Sequence, residues 1–201
     1  MEINDYIKFL AKNWIIIVVV TVLFAAVAYT ISVTRPTIYQ SSVSIEVFRF
    51  QEQTQREVNY FQYDNYYSSE AAAATMDNLI SWLESPATVA EIYQAAGFPL
   101  PKTSLRKLSK TFVVKKNIST SAVATISYSS TNKDQSIKMV TTATEILSKK
   151  IASYNKIGGQ NVFSLQSGSP VTVTASKNEA LNTIIAAFVG LLISIGMAGL
   201  Y

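Results

Sequence analysis

Between Glu91 and Asp134 the chain carries seven basic residues and no acidic one: Lys102, Arg106, Lys107, Lys110, Lys115, Lys116 and Lys133. The first six lie close enough in sequence to hold an anion, whether a lipid head group, a lipid diphosphate or an acidic glycan. A solvated helix face followed by a strand edge gives the same run of bases, and both readings stand at this stage. Upstream, Tyr60, Phe61, Tyr63, Tyr66 and Tyr67 offer aromatic faces suited either to the apolar side of a pyranose ring or to packing in a core or against a neighbouring subunit. Asn117 opens the tripeptide NIS, which fits a glycosylation sequon but specifies little by itself.

Covalent and metal chemistry is poorly supplied. The 201 residues include no histidine and no cysteine. Imidazole base catalysis, a Ser-His-Asp triad and any metal site built on His or Cys therefore have no residues to use. Gly158-Gly159 lacks the lysine and hydroxyl residue of a phosphate loop, and no serine sits in a nucleophile-elbow pattern. The carboxylates single out no catalytic pair. The expectation is a protein that is not an enzyme and binds no cofactor or metal. A net charge of +4 is too small to argue for a nucleic acid partner.

The elements that must position these residues begin and end in oil. Residues 14–33 form a run of twenty without charge, and residues 180–201 a second run of twenty-two. At about 1.5 Å per helical residue each reaches roughly 30 Å, the thickness of a bilayer's hydrocarbon core. Within the first run Ala26-Val27-Ala28 also suits a signal-peptide cleavage site, but Glu2 and Asp5 dilute the basic leader and the apolar stretch continues past it. Lys8 and Lys12 place the N-terminus in the cytoplasm, against the weaker opposing pull of Arg35 and Lys177. The expected organisation is a cytoplasmic N-terminus over 1–13, transmembrane helices over 14–33 and 180–201, and an extracytoplasmic α+β domain over 34–179.

The second apolar run places Ala186, Gly190, Ser194 and Ala198 four apart, and the first offers a similar stripe in Thr21, Ala25, Ala28 and Ser32. Where lipid removes most of the hydrophobic drive between helices, small faces that permit close approach are what association uses. Small residues are also common in such spans without any packing role.

Between the runs the periods alternate. Tyr39, Val43, Ile45 and Val47 share one face of an expected strand, with Gln40, Ser42, Ser44 and Glu46 on the other. Residues 51–69 show neither period and read as a loop. Met76, Leu79, Ile80 and Leu83 then mark a helix over 70–84 capped by Ser69. Ser85-Pro86 opens another helix that Gly97 closes, with Val89, Ile92, Tyr93 and Ala96 as its buried stripe. A short helical turn in TSLRKLSK precedes two pairing strands in TFVVKKN and SAVATISYS. A long helix over 134–155 carries the seam Ile137, Val140, Thr144, Leu147, Ile151 and Tyr154. One or two strands in NVFSLQSGSPVTVTAS return the chain to its second apolar run, where the first and last strands are placed to pair.

This layout resembles a known family. INDYIKFLAKNWIIIVVV, the strand PTIYQSSVSIEV straight after the span, SPATVAEIYQAAGFPLPKTSLRKLSKTFVVKK, SAVATISYSSTNKDQSIKMVTTATEILSKKI and a glycine-bearing final span are similar to the chain length determinant, or Wzz-like polysaccharide co-polymerase, family. The resemblance implies a homo-oligomer in the inner or plasma membrane that sets how long a lipid-linked surface polysaccharide grows. It also implies work beside a polysaccharide polymerase and, in many systems, a separate tyrosine kinase. The outer domain lacks the long helical extension of larger members and looks like the short Gram-positive type. Members of that type are expected to continue into a cytoplasmic tail, whereas this sequence ends at Tyr201, and TASKNE stands where further proline would be expected. An accessory membrane subunit of an export or transport complex is the alternative reading.

Overall fold

A computed structural model describes residues 3–49, 61–118, 121–157 and 162–199, with the side chains of 3–9 and 61–67 left out of the description. The chain divides into two compact units, one formed by residues 1–37 and 175–201 and the other by Ile38–Thr174.

The first unit is a pair of helices, α1 (Ile3–Thr34) and α6 (Glu179–Ala198). Leu10–Thr34 and Glu179–Ala198 are each long and apolar enough to cross a membrane. Their polarity is inverted relative to a soluble hairpin. Trp14, Val19, Leu23, Ile184, Phe188 and Leu192 are exposed, whereas Ser32, Gly190, Ser194 and Ala198 are buried. Water would penalise that arrangement, but hydrocarbon solvates the large apolar groups and leaves the small faces free to meet. Two threonines of the spans satisfy their hydroxyls within their own helices, Thr21 donating to the Ile17 carbonyl at 2.7 Å and Thr183 to that of Glu179 at 2.8 Å.

The second unit is α+β. Its central strand β1 (Tyr39–Arg49) pairs antiparallel with β3 (Val123–Ser130) on one side, and β2 (Val113–Lys116) pairs antiparallel with β3 at the edge. The other side of β1 is shared by β4 (Phe163–Ser167) and β5 (Val171–Thr174), both antiparallel to it. The β4–β5 break falls at Gly168, whose N–H still donates to the Ser44 carbonyl at 2.9 Å. Pro170, lacking an N–H, follows in the gap. The expected pairing of the first and last strands is thus present, from Tyr39 opposite Thr174 to Ser42 opposite Val171.

The alternation in β1 decides which face of the sheet is covered. Val43, Ile45 and Val47 are buried, and Val43 and Ile45 stand opposite Ile126 and Ala124 of β3 on that face. Helices α2 (Phe61–Glu84), α3 (Pro86–Ala96) and α5 (Lys133–Ile157) supply Met76, Leu79, Ile92, Met139 and Leu147 to the same core. Burying side chains of this size contributes about 1.5–3 kcal/mol each, and without a disulfide this core is what the domain relies on. Gly97 ends α3 at φ +74°, a left-handed conformation that glycine adopts without a Cβ penalty, and donates to the Gln94 carbonyl at 3.1 Å.

Two expectations are corrected. α2 begins at Phe61, so residues 61–69 are helical and Ser69 lies within the helix rather than capping it; residues 51–60 lie outside the described residues. Ser85 occupies the N-cap of α3 and Pro86 opens the helix as expected, with the serine side chain making no capping bond. In α5 the expected seam residues Val140, Thr144, Leu147 and Ile151 are buried, but Tyr154 is 50% exposed and Ile137 only half-buried, and the buried face also takes in Ser136, Met139, Ala143, Ile146 and Asn155. Ser136 and Asn155 turn inward because strands offer them hydrogen-bond partners. Ser136 Oγ lies 2.7 Å from Ser41 Oγ, and Asn155 both donates to the Phe163 carbonyl at 2.6 Å and accepts from its N–H at 3.1 Å.

Candidate functional site

The small-residue stripe of α6 meets α1. Gly190, Ser194 and Ala198 are buried, and a Cβ added to Gly190 would stand 2.7 Å from Phe24 Cβ and 3.4 Å from Thr21 Cα. Ala186, four residues earlier, is half-buried and lines a groove of about 370 Å³ together with Phe24, Ala28, Ser32, Arg35 and Asn182. The helices are thus tight at Gly190 and looser towards Arg35. There the contacts become polar: Asn182 Nδ2 donates to Ser32 Oγ at 3.3 Å, and Lys177 Nζ donates to the Val33 carbonyl at 3.3 Å. Lys177 thereby serves one of the carbonyls that the last turn of α1 cannot pair internally. Asn178, which starts α6 at φ +47°, is among the few residue types that accept the left-handed region.

The basic residues are spread over three local structures. Lys102 precedes α4 (Leu105–Leu108); Arg106 and Lys107 lie on it and Lys110 just after it, all four exposed. Ser104 caps α4 by accepting from the Lys107 N–H at 3.4 Å. Lys115 is exposed on β2, whereas Lys116, the next residue, turns to the covered face and pairs with Asp77 of α2 at 2.7 Å. Alternation along β2 therefore divides the two lysines between opposite faces. Asn117 is exposed beyond the end of β2, and the serine of its sequon lies outside the described residues. The same holds for Tyr60, for Gly158-Gly159, and for the side chains of Phe61, Tyr63, Tyr66 and Tyr67.

Two arrangements escaped the sequence reading. Tyr93 and Tyr128 bring their hydroxyls to 3.2 Å inside the domain, and burial, reinforced by the bond to Tyr93 and by its charge, pushes the Tyr128 phenol well above its ordinary value. Trp82, Glu91, Lys149, Lys150, Ser153 and Tyr154 line a pocket of about 400 Å³ where α2, α3 and α5 meet. Its only sequence signal was Tyr154, a large aromatic at the polar end of an otherwise regular seam.

An α+β domain between two apolar helices whose small faces pair and whose large side chains point outward defines a membrane-anchored domain protein. Residues 1–95, covering α1, β1, α2 and most of α3, match the Wzz chain length determinant protein model. No curated protein matches the chain.

Proposed function

We propose that the protein is a non-catalytic regulator of the chain length of a surface polysaccharide, acting as a homo-oligomer in the cell membrane beside a polysaccharide polymerase. The observation that carries this reading is the family match over residues 1–95, since that segment contains the first apolar helix and the strand around which the sheet is built. Lys8 and Lys12 favour a cytoplasmic N-terminus, which puts Ile38–Thr174 outside the cytoplasm with the growing lipid-linked glycan. The packing of Gly190 on Phe24 supports a role for Ala186, Gly190, Ser194 and Ala198 in holding the two helices together. The exposed bases Lys102, Arg106, Lys107, Lys110 and Lys115 are suited to an anionic head group or glycan, with Lys116 already engaged by Asp77. A separate tyrosine kinase is a further candidate partner.

Deleting the chain from its host and resolving the surface polysaccharide by electrophoresis tests the proposal. The expected outcome is an altered length distribution that the full chain restores. An unchanged profile would overturn it, and lost export with unaltered lengths would favour an accessory subunit of an export complex. Charge reversal in Lys107→Glu/Lys110→Glu is expected to shift the distribution if these bases hold an anion; unaltered lengths would return them to an ordinary solvated surface.

A further inference from the structure

The pocket at the junction of α2, α3 and α5 combines two features that the packing of the domain does not require. Tyr154 is 50% exposed, leaving about half of its ring available to a partner. It is held edge-on to Trp82, with ring centroids 6.5 Å apart and planes at 62°, so the two rings form an aromatic corner. The polar side of the pocket is equally defined. Lys150 pairs with Glu91 at 3.1 Å, tying α5 to α3, while Lys149 carries no ion pair among the described residues and Ser153 lies one turn further on. The space of about 400 Å³ is broadly open to solvent, so a ligand would lie across it with one side exposed.

The lining selects among ligand classes. A single carboxylate, already paired, does not make a cation site. A lipid tail or apolar peptide would have to bury the Lys149 ammonium with no opposite charge beside it and strip water from the Lys150–Glu91 pair, which is costly. A pyranose satisfies both sides at once: its C–H face lies against an aromatic ring, and its hydroxyls exchange hydrogen bonds with ammonium, carboxylate and hydroxyl groups. Two lysines against one glutamate leave one positive charge in excess, and Lys149 is the group that bears it.

We infer that this pocket binds a sugar unit bearing a carboxylate or phosphate, with Trp82 and Tyr154 stacking on the ring and Lys149 holding the anion. The inference rests on the proposed function and names a place where the outer domain grips the glycan.

Tryptophan emission can read the site directly. The sequence has two tryptophans, so Trp14→Phe leaves Trp82 as the single reporter in the full chain in micelles. Titration with hexagalacturonate is expected to give a saturable change, with maltohexaose at least about tenfold weaker and inorganic phosphate without effect. Lys149→Glu and Tyr154→Ala, both at exposed positions and checked for folding by circular dichroism, should each abolish the response. No saturable response, or one that survives both variants, would overturn the pocket as a sugar site; equal response to maltohexaose would overturn the requirement for an anion. A change of oligomeric state in Lys149→Glu would instead assign the pocket to a subunit contact and overturn the inference. In the host, length control lost on deletion of the chain but kept in both variants overturns the pocket alone. Lengths that ignore the deletion overturn the proposed function and leave the titration to decide the pocket.

Discussion

Gly190 and Phe24 are in such close register that a single added carbon on Gly190 would lie 2.7 Å from Phe24 Cβ. No real side-chain carbon tolerates that separation, so the helices must part or Phe24 must turn. Gly190→Leu is expected to destabilise the helix pair by about 1–3 kcal/mol, the usual cost of overpacking. A lower melting temperature in detergent checks this, and Phe24→Ala in the same chain should recover part of the loss. Since the chain has no cysteine, a pair introduced on α1 and α6 gives an unambiguous crosslinking readout of the same change.

Ser41 is fully buried and lies 2.7 Å from both Ser136 Oγ and Thr172 Oγ1, linking β1 to α5 and β5. Ser41→Ala removes the shared partner of two hydroxyls, and the expected cost is about 1–3 kcal/mol. Chemical denaturation of the domain should show a lower midpoint with an unchanged slope.

Asn155→Ala should act locally. Its amide supplies both a donor and an acceptor to the backbone of Phe163, where β4 begins. Losing them leaves a half-buried N–H and C=O unserved, so amide exchange at β4 is expected to accelerate well before exchange at β3 changes.

Tyr128 gives the domain an alkaline limit. Its folded phenol keeps its proton at pH values where the unfolded phenol, near an ordinary value of about 10, has lost it, so unfolding releases a proton. Stability is therefore present in full below pH about 10 and falls as the pH rises beyond it. Tyr128→Phe is expected to cost about 0.5–1.5 kcal/mol at neutral pH through the lost bond to Tyr93, and to flatten the decline above pH 10. An equally steep decline in the variant would assign the alkaline limit to other groups.

Much of this architecture was legible because its patterns are long or strict. The alternation in β1 identified Val43, Ile45 and Val47 as inward, and the stripe Val89, Ile92, Tyr93 and Ala96 of α3 is buried as its spacing requires. Legibility failed where polar residues face the core. Ser136 and Asn155 are buried but carry no hydrophobic signal, so the seam in α5 omitted them and ran instead to Ile137 and Tyr154 at its ends. The start of α2 was hidden for the opposite reason: residues 61–69 are polar and aromatic without a period, and their helical state is not written in hydrophobic spacing. For the candidate site, the stripe on α6 was visible as a four-residue repeat, whereas the pocket around Trp82 and Tyr154 joins three helices that no local pattern connects.

The pairing of Tyr39 with Thr174 has a mechanical consequence. The chain enters the sheet at the start of β1 and leaves it at the end of β5, on neighbouring antiparallel strands. Tension that separates residues 38 and 175 therefore loads this ladder one rung at a time, from Tyr39 and Thr174 inward, instead of shearing all rungs together. Four residue pairs then open in sequence before the force reaches the β1–β4 pairs, which begin at Ile45 opposite Ser167. The domain's entrance and exit would yield at low force as a short zipper, while the pairing of β1 with β3 keeps the interior shut.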